Sequence, residues 1–292
     1  MKSLSKAKVL KLIETRRGLA GQNMALIDLS GLDLSHLNFE KTILSEATLT
    51  GANLTSANLK EVDFTGADLK GVTFRLASLR EAVFTGANVL DADFWGADLS
   101  KAVMTGILRI RQAKFDGANL SGANLSGLDL REAANLNQAR LDGVNLSQAI
   151  LVEAVLENVP MTGANLYGAD LTKVRMTHVK LGSADLQEAI FKDADLQSAY
   201  MNRSNARNAD FSGADLTGAD LQDMDLTGAK FVRANLTSAN MRNSDLTNAD
   251  MRGVNLSGTV LYGAKFVNVR GVLIRGSDQG EIGSKDGEVR ES

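Results

Sequence analysis

Few side chains in this sequence could do chemistry, and their spacing does not favour it. His36 and His178 are the only two histidines in 292 residues. The repeat described below sets them on one side, seven steps apart, about 34 Å at ~4.8 Å per step. They cannot share a catalytic or metal site. The chain has no cysteine, so a disulfide scaffold, a thiolate metal site and a cysteine nucleophile are all excluded. Serine and threonine are common, yet no Gly-x-Ser-x-Gly elbow, Walker loop or dinucleotide fingerprint occurs. Carboxylates recur at even spacing, most plainly Asp210, Asp215, Asp220 and Asp225. Two readings of these four stand side by side. They hold local turns, or they form part of an acidic surface. General acid–base catalysis needs a cleft that shifts a carboxylate pKa, and a uniform repeat offers none. No enzyme activity, cofactor or metal is expected.

Arg109, Arg111 and Arg131 stand out for another reason. Each borders a one-residue break in an otherwise even pattern, and such bulges re-aim side chains near functional sites. A single insertion in a long array is also ordinary drift. Both readings stay open, and these three arginines with the four aspartates are the candidate interaction residues.

The element that must position them is a five-residue repeat. Thr50-Gly51-Ala52-Asn53-Leu54 and Thr217-Gly218-Ala219-Asp220-Leu221 show it in full. A large apolar residue, the centre, returns every fifth position from Leu29 to Met104. One residue is then inserted. Ile110 to Leu130 continue the pattern, a second insertion falls near Arg131–Ala133, and Leu136 to Phe266 run in step. That makes about 48 units, with Ala206 alone replacing a large centre. The residue two before each centre is mostly alanine. Residues two apart on extended chain face the same way, so both point inward. A helix returns no constant face at period five. Glycine two after the centre suits a corner, and Asp or Asn before it suits a bond to local backbone. All ten phenylalanines sit at centres, several of them twenty residues apart. That spacing favours four sides per coil and a rod of roughly 55–60 Å.

The chain carries 32 basic and 35 acidic residues, a net charge of −3, which argues against direct nucleic-acid binding. Residues 1–17 are basic and look helical, with Ser3 or Ser5 to cap the start and Gly18 and Gly21 to stop it. They read as a lid on the open end of the array. The less favoured reading is a basic helix touching an anionic membrane surface. No apolar run reaches the length of a membrane span and no signal-peptide core forms, so a cytoplasmic location is expected. The predicted organisation is a helical cap over 1–26, repeats over 27–268, and a partial coil with a flexible tail over 269–292.

In tandem, Ala-(Asp/Asn)-Leu-x-x resembles the pentapeptide-repeat family over residues 27–268. The resemblance implies an all-β fold, a right-handed, four-sided parallel β-helix of about 12 coils. It also implies a partner, because members of that family imitate duplex DNA and bind DNA gyrase or topoisomerase IV. Lys230, Arg233, Arg242 and Arg252 interrupt the acidic stretch here, and the projecting loops of the quinolone-protection members are missing. The expected function is therefore a non-enzymatic, rod-like protein binding an unknown protein partner. Imitation of DNA before a type II topoisomerase is the alternative.

Overall fold

The computed structural model describes residues 4–15, 18–131, 136, 138–274 and 289–291. The chain divides into two compact units, Met1–Asn145 and Leu146–Ser292. Each is built by the same local rule.

Within every five residues the backbone makes one tight turn. The N–H three residues after a centre donates to that centre's carbonyl, as Ala52 does to Leu49 at 2.8 Å and Ala219 to Leu216 at 3.0 Å. The residue two after the centre has positive φ, 65° at Gly51 and 67° at Gly218. This is the type II turn, whose third position glycine fits best. The residue before the centre, usually Asp or Asn, then accepts the N–H two residues on. Thr65 donates to Asp63 Oδ1 at 2.9 Å, and Thr172 to Asp170 Oδ1 at 3.0 Å. A turn and its side-chain brace thus consume most of each unit.

What remains pairs with residues twenty positions away. Asp33, Asn53, Thr73 and Asp93 form one column of parallel bridges in the first unit. Asn165, Asp185, Asn205, Asp225, Asp245 and Lys265 form one in the second. Each bridge is a single residue. The expected all-β class, with its right-handed parallel β-helix and solenoid of about 12 coils, is corrected by this finding. Among the described residues the only strands are β1, Val272–Ile274, and β2, Val289–Glu291, which pair antiparallel. The only helix among those residues is α1, Lys6–Glu14. The physical reason is the turn. A positive-φ residue in each unit ends every extended segment before it can become a strand, so bridges stay isolated and no organised sheet forms.

The core is made of the two positions marked by the repeat. In the first unit Ala52, Leu54, Ala67, Leu69, Phe74 and Phe84 are fully buried. In the second Ala189, Phe191, Phe211 and Leu236 are fully buried. Each such Leu or Phe removes enough apolar area from water to contribute roughly 1.5–3 kcal/mol. Phenylalanines twenty residues apart stack, with centroids 4.9 Å apart for Phe74 and Phe94 and 5.0 Å for Phe191 and Phe211. Where a polar residue takes the alanine position, its hydroxyl reaches a carbonyl: Thr42 to Leu19 at 2.9 Å, Ser204 to Leu181 at 2.7 Å. Among the described residues no buried side-chain polar atom lacks a partner.

Helix α1 covers the start of the first unit. Ser5 stands at its N-cap without a side-chain cap bond, and Val9 is fully buried. Leu4 donates its N–H to the Asn23 carbonyl at 2.8 Å, and Lys6 Nζ meets Asp28 at 3.1 Å. Lys2, Arg16 and Arg17 lie outside the described residues, as does the predicted tail except for β2.

Candidate macromolecule-binding surface

The four aspartates fall on four different columns. Asp210 bridges Ile190 and Lys230, Asp215 bridges Asp195 and Asn235, Asp220 bridges Tyr200 and Asn240, and Asp225 bridges Asn205 and Asp245. They encircle one twenty-residue step and share no face. Each braces its own turn, accepting the N–H two residues on at 3.0–3.2 Å. Cations stand beside two of them. Lys192 lies 3.4 Å and Lys230 3.9 Å from Asp210, and Arg207 lies 3.2 Å from Asp225. Burial works against the charge of Asp210, but bonds from the Ser212 hydroxyl and N–H and the nearby Lys192 outweigh it and hold its pKa below the usual value. At Asp225 burial is likewise outweighed, by Thr227 and Arg207. Both carboxylates are ionised at neutral pH.

Acid meets acid along two columns of the second unit. Asp195 bridges Asp215, and Asp225 bridges Asp245. Gln197 donates to Asp215 at 3.0 Å and Lys265 lies 3.6 Å from Asp245. Residues 181–255 hold 11 acidic and 7 basic side chains.

The three arginines are brought together, and the bridge register shows how. Bridges run twenty residues apart up to Val83↔Val103, then 21 apart from Asn88↔Arg109. The extra residue makes a bulge. Leu108 donates its N–H to Ala87 at 3.0 Å while the Arg109 carbonyl accepts from Val89 at 3.0 Å, so two residues oppose the single Asn88. Leu108 holds the alanine position yet is 74% exposed. The bulge has turned it outward. Arg109 and Arg111 follow it into solvent. Arg131 arrives from the next step, bound to Asp129 through two bonds, Nε to Oδ1 at 2.9 Å and Nη2 to Oδ2 at 2.6 Å. Those bonds hold the Asp129 pKa down. Together Ile107–Arg111 and Leu128, Asp129 and Arg131 line a recess of about 480 Å³. Glu132 and Ala133, at the second insertion, lie outside the described residues.

Sequence reasoning overlooked Asp129. The signal was its place two residues before Arg131, on the same face of extended chain. It also overlooked Arg75, whose guanidinium sits 4.8 Å from the Trp95 ring and 3.2 Å from Asp93. Arg75 and Trp95 are twenty residues apart, the repeat's own spacing. Among the described residues no cluster of His, Cys, Asp or Glu could hold a metal ion, and no helix is long and apolar enough to cross a membrane.

A core drawn from a five-residue period, a tight turn in each unit and a surface of braced carboxylates define a repeat protein. The chain belongs to the family of pentapeptide repeats, whose model matches eight times, end to end over residues 23–107 and 109–268. As a member it is a non-enzymatic protein. No curated protein matches it. Among solved structures it is similar to HetL, a pentapeptide repeat protein involved in heterocyst differentiation regulation from the cyanobacterium Nostoc sp. strain PCC 7120. Identity is 26%, coverage 92% of this chain and 98% of that one, and the TM-score 0.32. It is also similar to trypsin-treated QnrB1, a plasmid-mediated fluoroquinolone resistance protein, at 16% identity over 81% and 90%, with a TM-score of 0.38. A thylakoid-lumen pentapeptide repeat protein of Arabidopsis thaliana is 33% identical over 37% of this chain and 71% of its own, with a TM-score of 0.20.

Proposed function

We propose that this protein acts by binding another macromolecule through its outward faces, and that the partner is a protein of the type II topoisomerase class. The observation that supports this reading is the pairing of like charges along two separate columns, Asp195 with Asp215 and Asp225 with Asp245. Like charges set directly opposite are unfavourable in a ladder. Rows of carboxylates on a firm backbone are what a DNA-binding groove would accept in place of phosphates. Arg203, Arg207 and Lys265 stand among them, so the imitation is patterned rather than continuous. A cytoplasmic location, where such a partner works, belongs to the same reading, and cell fractionation tests it.

A supercoiling assay with purified gyrase and topoisomerase IV tests the partner. The reading expects inhibition at micromolar protein, relieved by Asp195→Lys with Asp245→Lys. No effect on either enzyme removes the topoisomerase and leaves the broader binding role. Pull-down from the native host with mass spectrometry then identifies the partner.

A further inference from the structure

The bridge columns of the second unit differ in how each would meet a copy of itself. One column reads Pro160, Lys180, Tyr200, Asp220, Asn240 and Val260. Tyr200 is 51% exposed, and its hydroxyl has no partner among the described residues. Asp220 takes the Gln222 N–H and the Asn240 amide on Oδ1, at 3.2 and 3.1 Å, which leaves Oδ2 for another donor. Beside the column, Arg203 is exposed and lies 4.0 Å from Asp223, at the limit of an ion pair. Asp223 is fixed by Gln222 at 3.1 Å and Asn243 at 3.0 Å. These polar groups are held in place before any partner arrives.

A second copy can lie antiparallel on this side, about a two-fold axis between the Tyr200 and Asp220 steps. Tyr200 then faces Asp220, Lys180 faces Asn240 and Pro160 faces Val260. On the flank Arg203 faces Asp223 and Asn202 faces Gln222. No like charges stand directly opposite, and two-fold symmetry makes each pair occur twice. A copy centred in the same way on the adjoining columns sets Asp195 against Asp215 and Asp185 against Asp245. Like charges so placed are unfavourable and exclude those contacts.

We propose that the side carrying Tyr200 is the contact between two copies of this chain in a two-fold antiparallel dimer. Across it the Tyr200 hydroxyl donates to Oδ2 of the partner subunit's Asp220. Arg203 gives up its long pair within the chain for the partner subunit's Asp223, and a charge-assisted bond in a desolvated contact is the stronger of the two. Tyrosine and arginine are the residue types that dominate such contacts. The column spans five steps, about 24 Å at ~4.8 Å per step, which suits a small interface that dissociates on dilution. The Asp195–Asp215 and Asp225–Asp245 columns lie on the adjoining sides, so dimerisation and topoisomerase binding are independent.

Sedimentation velocity of the full chain at rising concentration tests it. We expect the mass to move from one copy to two. Tyr200→Glu sets a carboxylate against Asp220 and should weaken the dimer by about tenfold or more, since the change acts twice. Arg203→Asp should do the same against Asp223. Both sites are exposed, and unchanged melting curves should show that the fold survives. The chain has no cysteine, so a cross-link can fix the register. Asn202→Cys mixed with Gln222→Cys under a mild oxidant should give a covalent dimer faster than either variant alone. A mass of one copy at every concentration overturns the proposal. So does equal dimerisation by Tyr200→Glu and Arg203→Asp, or a covalent dimer formed as fast by either cysteine variant alone.

Discussion

Residues 27–104 and residues 105–131 are written in the same five-letter pattern, and one added residue separates their behaviour. In the first stretch Leu99 sits at a centre and is fully buried. In the second, Leu108 stands where an alanine normally points inward, and most of it meets water. Chemistry does not distinguish the two leucines. Register does. The bulge opposes Leu108 and Arg109 to Asn88 alone, and a shift of one residue on extended chain exchanges the inward and outward faces. The comparison teaches that the even stretches hold the fold, while the interrupted stretch is free to present side chains.

The sharpest break in that comparison is the same substitution at both leucines. Leu99→Asp leaves an unpaired charge and a void in the core, and we expect a loss of about 4 kcal/mol or more, read by denaturant unfolding. Leu108→Asp should stay within about 0.5 kcal/mol of the parent, as surface changes do. Gly271→Ala tests the close of the second unit. Gly271 has φ 87°, and an added methyl would clash with the Arg252 backbone. Positive φ together with that backbone clash should cost about 2 kcal/mol in thermal melting.

Leu76→Gly should act in the opposite direction and more weakly. Leu76 is more than half exposed at φ 56°. Relief of the left-handed strain, less the entropy of a new glycine, should give a gain of about 0.5 kcal/mol. The smallest effect concerns pH. The Ser30 hydroxyl and N–H, followed by Lys6, lower the Asp28 pKa from 3.8 to about 2. A depressed carboxylate contributes stability that is full above its unfolded pKa and lost as pH falls through the folded one. The hold of Asp28 on α1 is therefore present at neutral pH and fades between about 4 and 2. Carboxyl NMR should show a midpoint near 2. Ser30→Ala, which removes the hydroxyl and keeps the N–H, should move it upward, and Lys6→Met should also move it upward.

Much of this was legible in the residues. The inward pair, the turn glycines and both breaks follow from counting in fives, because burial depends on side-chain direction alone. The strand content did not follow. Inward residues two apart imply extended chain, but the residue that turns left-handed, such as Lys41 or Glu81, need not be glycine and gives no sign of ending a segment. The candidate arginines were placed by their nearness to the breaks. That Leu108 would be the residue expelled, and that Asp129 would bind Arg131, depends on which amide the preceding step engages, and a single chain does not encode that in its spacing. The aspartates were ambiguous because one carboxylate serves both as turn brace and as surface charge.

Deletion of Leu108 tests the role of register most directly. Arg109 would then take the bond to Ala87, Ile107 would move to the inward position, and the bridge spacing at Asn88 would return to twenty. The account predicts a melting temperature equal to or above that of the parent chain. A fall of more than about 5 °C, well over 1 kcal/mol for a chain of this size, would show that the bulge holds the fold instead and would contradict it.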